Sequence, residues 1–494
     1  MMLLALIRPA AISLVAAVVC AVASSCAPVG PDYQRPALDV PIDYKSATTR
    51  PTTHPTIATD WWKLFNDPVL NDLEESATRA NNDLAAAVAR VAQVRAALRV
   101  TNSEFYPVVT LDPSTTRSRT SGNRSTTSGG TINGISTNGG SRARTSTNVQ
   151  VPFDVSYEID IWGRVRRLSE SAMAQVRASE ADYQVVLQTL QADVAQNYFN
   201  LRSLDTQQQI LAKTVESFRL QVSLTQTQRA AGLVGPTDVL QAQTQLNSTI
   251  TQEIDVRRQR ADTEHALAVL LGRPPTGLTI APKTLDLTPP PVAPGLPFEL
   301  LRRRPDVAEA EANLAAASAQ IGVAVAQFYP TIRLTGTAGF ESLDLRHALD
   351  WESRVWSIGP SISLPLFEGG RLQANLDQVK ARYQELLANY RGSVLAAFRD
   401  VEDSLTDLHF RADAALAQDQ AVQSAREYLR LSQVQYKGGL TSYLQVIDAE
   451  RTLLTNEISA VQLLNQRLAS TVLLIKSLGG GWDPGDTPAT RPTR

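Results

Sequence analysis

The 494-residue chain has only two cysteines, Cys20 and Cys26, both near its N-terminus. Once the stretch ahead of Cys26 is removed, no internal disulfide is possible. Histidine is nearly missing too: His54, His265, His347 and His409 stand alone, without metal-ligand spacing. An excess of one charge is lacking. The formal net charge is −2, so there is no basic footprint for nucleic acid. Aromatics make up 6% of the chain, which suits long packed helices better than an aromatic-rich globular core. No phosphate loop or nucleophile motif occurs, so the chain reads as no enzyme, with no cofactor and no metal. The most informative absence is conformational. For about 68 residues between Gly163 and Gly232 there is neither glycine nor proline, and Arg371 to Lys437 holds only Gly392. At 1.5 Å per residue such a helix would run about 100 Å, and periodic stretches this long imply coiled-coil packing.

What is present is a tandem duplication with an offset of about 207 residues. Trp162-Gly163-Arg164 returns as Gly369-Gly370-Arg371, and Asp193-Val194 as Asp400-Val401. Gly232-Leu233 returns as Gly439-Leu440, and Leu271-Gly272 as Leu478-Gly479. Phe105-Tyr106-Pro107 returns as Phe328-Tyr329-Pro330 with an offset about 16 larger, so one insertion separates the halves. Each half reads helix, strand, loop, strand, very long helix, tight turn, helix.

The expected organisation follows. Residues 1–25 form a secretory signal, with Arg8 ahead of the apolar run Ala10 to Val22 and small residues Ala23-Ser24-Ser25 before Cys26. Cys26 resembles a bacterial lipobox cysteine, although Ala23 stands where leucine is usual; the alternative is ordinary cleavage that leaves a free thiol. Ala27 then points to the outer membrane. Residues 26–66 are a lipidated extended segment, 67–272 the first repeat, and 273–305 a Pro-rich connector. Residues 306–479 are the second repeat and 480–494 a disordered tail.

From Asp67 to Glu104, Leu70, Leu73, Ala77, Leu84, Val88, Val91, Val94 and Leu98 recur at helical spacing. Val149, Val151, Phe153, Val155 and Tyr157 alternate with polar residues, as do Ile332, Leu334, Gly336, Ala338 and Phe340, and then Trp356, Ile358, Ile362, Leu364 and Leu366. With a first strand after Pro107, where the chain switches to period two, these predict four strands, two per repeat. The Ser/Thr/Gly/Asn/Arg-rich stretch at roughly 114–147 reads either as disordered linker or as a long exposed loop. The last helix carries a heptad stripe: Leu444, Ile447, Arg451, Leu454, Ile458, Val461, Asn465, Leu468, Val472, Ile475. Its counterpart is weaker: Thr237, Leu240, Thr244, Asn247, Thr251, Ile254, Arg258, Ala261, His265, Ala268. The two hairpins are therefore expected to bury different faces. Their tight turns are 231–236 and 437–442, where glycine ends one helix before the next begins.

Four strands cannot close a membrane barrel alone, since the smallest have about eight. Three chains would close one without edges, and the long helices would continue it as a tube.

These stretches resemble the outer-membrane factors of the TolC-like type, in the lipoprotein branch associated with resistance–nodulation–division (NodT-like) efflux pumps. The residues that carry the resemblance are Val29 to Pro36, Trp61-Trp62 with Phe65 and Asp67-Pro68, and Tyr157 to Arg164. Leu301 to Val307 with Ala310-Glu311, and Pro365 to Arg371, complete them. The resemblance implies a homotrimer with a β-barrel in outer-membrane lipid, four strands per protomer, and a periplasmic coiled-coil tunnel. It implies an exit duct for small molecules that an inner-membrane pump expels through a periplasmic adaptor. The alternatives are a protein-secretion channel or a non-porous periplasm-spanning lipoprotein. It further implies a periplasmic gate at Asp238, Tyr436 and Asp448, while Thr441 and Gln445 stand where the family pattern has arginine and aspartate. Any latch would rest on hydrogen bonding, as between Tyr436 and Asp238. Asp238 also fits a helix N-cap after Pro236, and Asp448 also fits a solvated helix face. The tips Gly232, Val234, Gly235, Gly438, Gly439 and Ser442 would contact the adaptor.

Overall fold

The computed structural model describes residues 28–38, 41–46, 57–121, 131–132, 135–136, 144–293, 295, 297 and 302–482. The expected signal, Cys26 and residues 483–494 of the expected tail lie outside the described residues. The helices are α1 (Pro68–Ala80), α2 (Asn82–Asn102), α3 (Arg164–Ala230), α4 (Pro236–Leu270), α5 (Pro305–Ala326), α6 (Arg371–Lys437) and α7 (Tyr443–Ser477). The strands are β1 (Val108–Leu111), β2 (Ser114–Thr120), β3 (Thr131–Ile132), β4 (Ile135–Ser136), β5 (Arg144–Ile159), β6 (Thr331–Ser342) and β7 (Arg354–Ser363).

The duplication is plain in the helices. α3 and α6 each have 67 residues, and α4 and α7 each have 35. The glycine- and proline-free run is helical from Arg164, next to Gly163, to Ala230. The repeats are not the compact units, however. One unit joins Arg95–Ala174 and Ala315–Glu385 with the chain up to Gln34. The other joins Arg35–Val94, Gln175–Leu314 and Leu386–Arg494. Each draws on both repeats: β5 pairs with β6 in the first, and α4 meets α7 in the second.

In the first unit the sheet order is β1–β5–β6–β7, with β2 extending β1 along β5. β1 and β2 keep one register on β5, from Val108 opposite Ser156 to Thr120 opposite Arg144. The polar stretch expected to be linker or loop is therefore strand at 114–120 and 144–147. The central pair, β5 with β6, joins the two repeats, with Ile159 opposite Ile332 and Val149 opposite Ser342. Side chains alternate along a strand, so the register sorts the faces. Val109, Phe153, Val155, Tyr157, Leu334 and Ile358 share one face, and Asp154, Glu158, Arg333, Thr335 and Thr337 share the other.

The passage from β5 to α3 explains the run Tyr157 to Arg164. The Asp160 carboxylate accepts the Val165 and Arg166 amides at 3.1 and 3.0 Å, which caps the helix. Trp162 Nε1 donates to Pro330 O at 2.8 Å, and its ring stacks on Tyr329. Gly163 has φ +79, and a Cβ there would lie 2.5 Å from Pro28.

In the second unit Trp61, Trp62 and Phe65 pack with Tyr198, Phe199 and Leu201 and with Leu468, Val472 and Ile475. By length and composition α7 could cross a membrane; here these three residues are fully buried in the core. Asp67 caps α1 by accepting the Val69 amide at 2.9 Å and takes the Tyr198 hydroxyl at 2.6 Å. Burial opposes its charge, but Tyr198, the Val69 amide and Lys283 hold the carboxyl below its usual range. Arg304, the last of the arginine run, is buried and paired with Asp306 at 2.6 Å and Asp400 at 3.1 Å. Gly480, assigned to the tail by sequence, is buried as well, and Gly481 is half-buried.

Two expectations are corrected. The helix expected from Asp67 to Glu104 breaks at Asn81, whose extended backbone ends α1. Its side chain accepts the Leu84 amide and donates to Leu270 O, both at 2.9 Å. The seam of α4 is not the stripe through Leu240 and Ile254, which are exposed. It runs through Val239, Ala242, Thr249, Glu253, Val256, Thr263 and Leu267. Val446, Ala449, Ser470 and Leu474 are the matching buried positions of α7, which also buries Ile447, Leu454, Leu468, Val472 and Ile475 of its own stripe, so the two helices share part of a buried face and α7 buries a wider arc.

Both long helices end alike. Leu233 N–H reaches Gln228 O at 2.9 Å and Gly232 N–H reaches Arg229 O at 2.9 Å. Leu440 N–H reaches Gln435 O at 2.9 Å and Gly439 N–H reaches Tyr436 O at 3.0 Å. Gly232 and Gly439 are left-handed, with φ +74 and +72. Gly439→Ala should therefore cost about 1–2 kcal/mol, whereas Gly438→Ala, at ordinary φ, should change urea unfolding by less than about 0.5 kcal/mol.

Glu74 lies on the buried stripe of α1, and neither carboxylate oxygen has a hydrogen-bond partner among the described residues. Burial raises its pKa well above the ordinary value. A carboxyl whose folded pKa is raised adds stability below its unfolded pKa of about 4.3, and loses it as pH rises through the folded value. Glu74→Met removes this term. Thermal melts from pH 4 to pH 8 should show the variant's advantage growing with pH; a constant difference would mean that Glu74 does not titrate there.

Candidate functional site at the hairpin tips

The gate and tip positions named from the sequence all fall on two turns and the helical ends beside them, within the second unit. At the first turn Gly235 is the N-cap of α4 and Pro236 its first residue. A glycine cap offers no side-chain acceptor. Asp238 completes the end from inside the helix, its Oδ2 accepting the Gly235 amide at 3.0 Å. At the second turn Ser442 caps α7 without a side-chain hydrogen bond. Gln445 occupies the position equivalent to Asp238 and accepts the Thr441 hydroxyl instead.

The Tyr436–Asp238 hydrogen bond implied by the family resemblance is not formed within the chain. Tyr436 donates to Gln228 Oε1 at 3.0 Å and so ties α6 to α3. Its ring meets Tyr443 at 5.7 Å, in a cluster with Val222, Ala242, Val446 and Ile447. The physical reason is local: the unsatisfied amide at the start of α4 takes the Asp238 carboxylate, and the end of α3 presents Gln228 to Tyr436.

Asp448 is exposed and accepts the Tyr428 hydroxyl at 3.3 Å. Leu444, Gln445, Asp448 and Arg451 are all exposed on α7, while Val446, Ile447, Ala449 and Glu450 are buried. Gln445 and Asp448 thus share one face, a turn apart, as their spacing predicts.

Three side chains escaped the sequence reading. Leu233 and Leu440 are equivalent by the repeat and stand 75% and 82% exposed, one at each turn. Both follow the left-handed glycine, a position visible in the sequence once the turn type is fixed. The third is Glu450, buried on α7, whose Oε1 accepts the Ser217 hydroxyl at 3.1 Å. Burial raises its pKa, and Ser217 offsets only part of that. It borders a cleft of about 610 Å³ between α3, α6 and α7, beside Lys213 and the Arg426–Glu457 pair. Tyr443, Ile447, Glu450 and Leu454 step four-three-four, a second stripe that could have marked Glu450 as buried.

The family described as outer membrane efflux protein matches the chain over residues 73–273 and 296–480. The chain is 35% identical over 465 residues to the solvent efflux pump outer membrane protein SrpC of Pseudomonas putida, spanning 92% of this chain and 95% of that protein. It is 31% identical over 484 residues to outer membrane protein OprJ of Pseudomonas aeruginosa, spanning 95% and 96%. Among solved structures it is similar to the outer-membrane channel OprN, with 31% identity and a TM-score of 0.82 over 92% of this chain and 99% of that one. Matched along most of its length in both sequence and fold, the chain belongs to the outer membrane efflux protein family and is an outer-membrane efflux channel.

Proposed function

We propose that three copies close one β-barrel in the outer membrane and one helical tunnel in the periplasm, as the passive exit duct of a tripartite pump. The sheet carries this reading. Its outer strands, β1 with β2 on one side and β7 on the other, each have a single partner strand among the described residues. One sheet face is apolar and the other polar. In lipid each open backbone group costs several kcal/mol, so edges must be closed. β7 of one copy against β1 and β2 of the next continues the antiparallel order, and three copies give a closed, even-numbered barrel. Leu240 and Ile254 on α4 and Leu395, Phe410 and Leu416 on α6, all exposed in one chain, supply apolar surface for neighbouring copies.

The duct has no catalytic step of its own. Small molecules enter from an inner-membrane pump through a periplasmic adaptor, which meets Gly232, Val234, Gly235, Gly438, Gly439 and Ser442, with Leu233 and Leu440 as apolar contacts. Gln445 and Asp448 face the axis and set the constriction. Three Asp448 carboxylates form a ring that favours cations, and Thr441, which brings no positive charge, leaves the closed state weakly latched. Cys26 carries lipid. Pro28, two residues on, packs at Gly163 just after β5, so the acyl chains would enter the leaflet near that end of the sheet.

Single-channel recording tests the duct. The wild-type chain should conduct in planar bilayers, with Asp448→Asn less cation-selective and less sensitive to block by multivalent cations. Unchanged selectivity would turn Asp448 away from the pore. Cysteines at Val234 or Ser442 should cross-link the adaptor, and cross-links confined to the strands would refute docking at the tips.

A further inference from the structure

The apolar face of the sheet changes character at the end away from its helices. Arg117 and Arg119 lie opposite Thr147 and Thr145, on the face that carries Val149, Phe153 and Val155. Arg354 lies opposite Phe340, which itself faces Val151, so it shares that face. All three are exposed, and none is ion-paired among the described residues. No aspartate or glutamate occupies this face on β1, β2, β5, β6 or β7; Asp154, Glu158 and Glu341 all fall on the opposite one. The Arg354 guanidinium sits 3.4 Å from the centre of the Trp351 ring.

We propose that Arg117, Arg119 and Arg354 form a girdle that binds the phosphates of anionic lipid in the leaflet farther from the helices. This rests on the barrel reading above. A lipid-facing strand tolerates charge near the interfaces and not at the midplane, and these arginines stand near one end of the apolar band, Arg117 and Arg119 beyond Val149 and Arg354 at the first residue of β7, level with Val151. Val149 to Ile159 supplies 11 residues of that band, against the roughly 9–11 that a tilted strand needs to span the hydrocarbon. The strands themselves offer these cations no carboxylate on their own face, while a phosphorylated leaflet supplies many anions. Guanidinium matches phosphate through two parallel hydrogen bonds. The Trp351 stack restricts Arg354, and tryptophan favours this same depth.

The full-length channel, purified in a neutral detergent, is mixed with lipid A, a diphosphorylated glycolipid, or with phosphatidylcholine, and retained lipid is counted by native mass spectrometry. Wild type should retain lipid A in preference to phosphatidylcholine. The triple variant R117Q/R119Q/R354Q should lose that retention by roughly tenfold or more, and R117K/R119K/R354K should fall between. Arg333→Gln, on the opposite face, should retain as wild type does. Conductance of the triple variant in phosphatidylcholine bilayers shows that it is folded. Equal retention by wild type and the folded triple variant would overturn the girdle, as would release of lipid A by millimolar inorganic phosphate alone. Failure of wild type itself to conduct would overturn the barrel reading and the girdle with it.

Discussion

Every backbone donor and acceptor that enters lipid must find a partner inside protein, and that constraint organises this molecule. A sheet of four strand lines has two edges whose amides and carbonyls have nowhere to go in hydrocarbon. Copies of the chain satisfy them for one another. The alternation of side chains does the rest, because closing the sheet sends Phe153, Val155 and Ile358 to one side and Asp154, Glu158 and Arg333 to the other. One pattern thus builds a lipid-facing wall and a wet lumen.

The duplication supplies equivalent parts, and the copies differ at the turns. Helix lengths and the left-handed glycines are preserved, since the backbone at Gly232 and Gly439 admits little else. The leucine after each is kept, and the residues beyond it have diverged. One turn is closed by Gly235 with Asp238, the other by Ser442 with Thr441 and Gln445. α7 buries a wider arc than α4 and also carries Asp448 on its exposed stripe.

The runs that mark the family prove to be joints. Asp67 caps a helix and anchors Tyr198; Asp160 starts α3; Arg304 bridges Asp306 to Asp400 from a buried position. Each places a charged group where helix ends leave unpaired backbone, or where two carboxylates balance a buried guanidinium.

The sequence by itself determined whatever depends on local conformation. Helix ends followed from where glycine and proline stop being absent, and strand faces from strict alternation; both are short-range steric properties. The repeat was legible because equal spacing survives divergence. Tertiary structure decided which stripe of a uniformly polar helix is buried. α4 presents Thr, Gln, Leu and Arg on every side, so Leu240 looked like core while Thr249 and Glu253 were buried. It also decided the partner of each polar group: Asn81 broke a periodic helix to reach Leu270, Asp238 capped its own helix, and Glu74 took a core position with no hydrogen-bond partner among the described residues. Those outcomes depend on which distant segment arrives alongside, and the residue itself carries no mark of it.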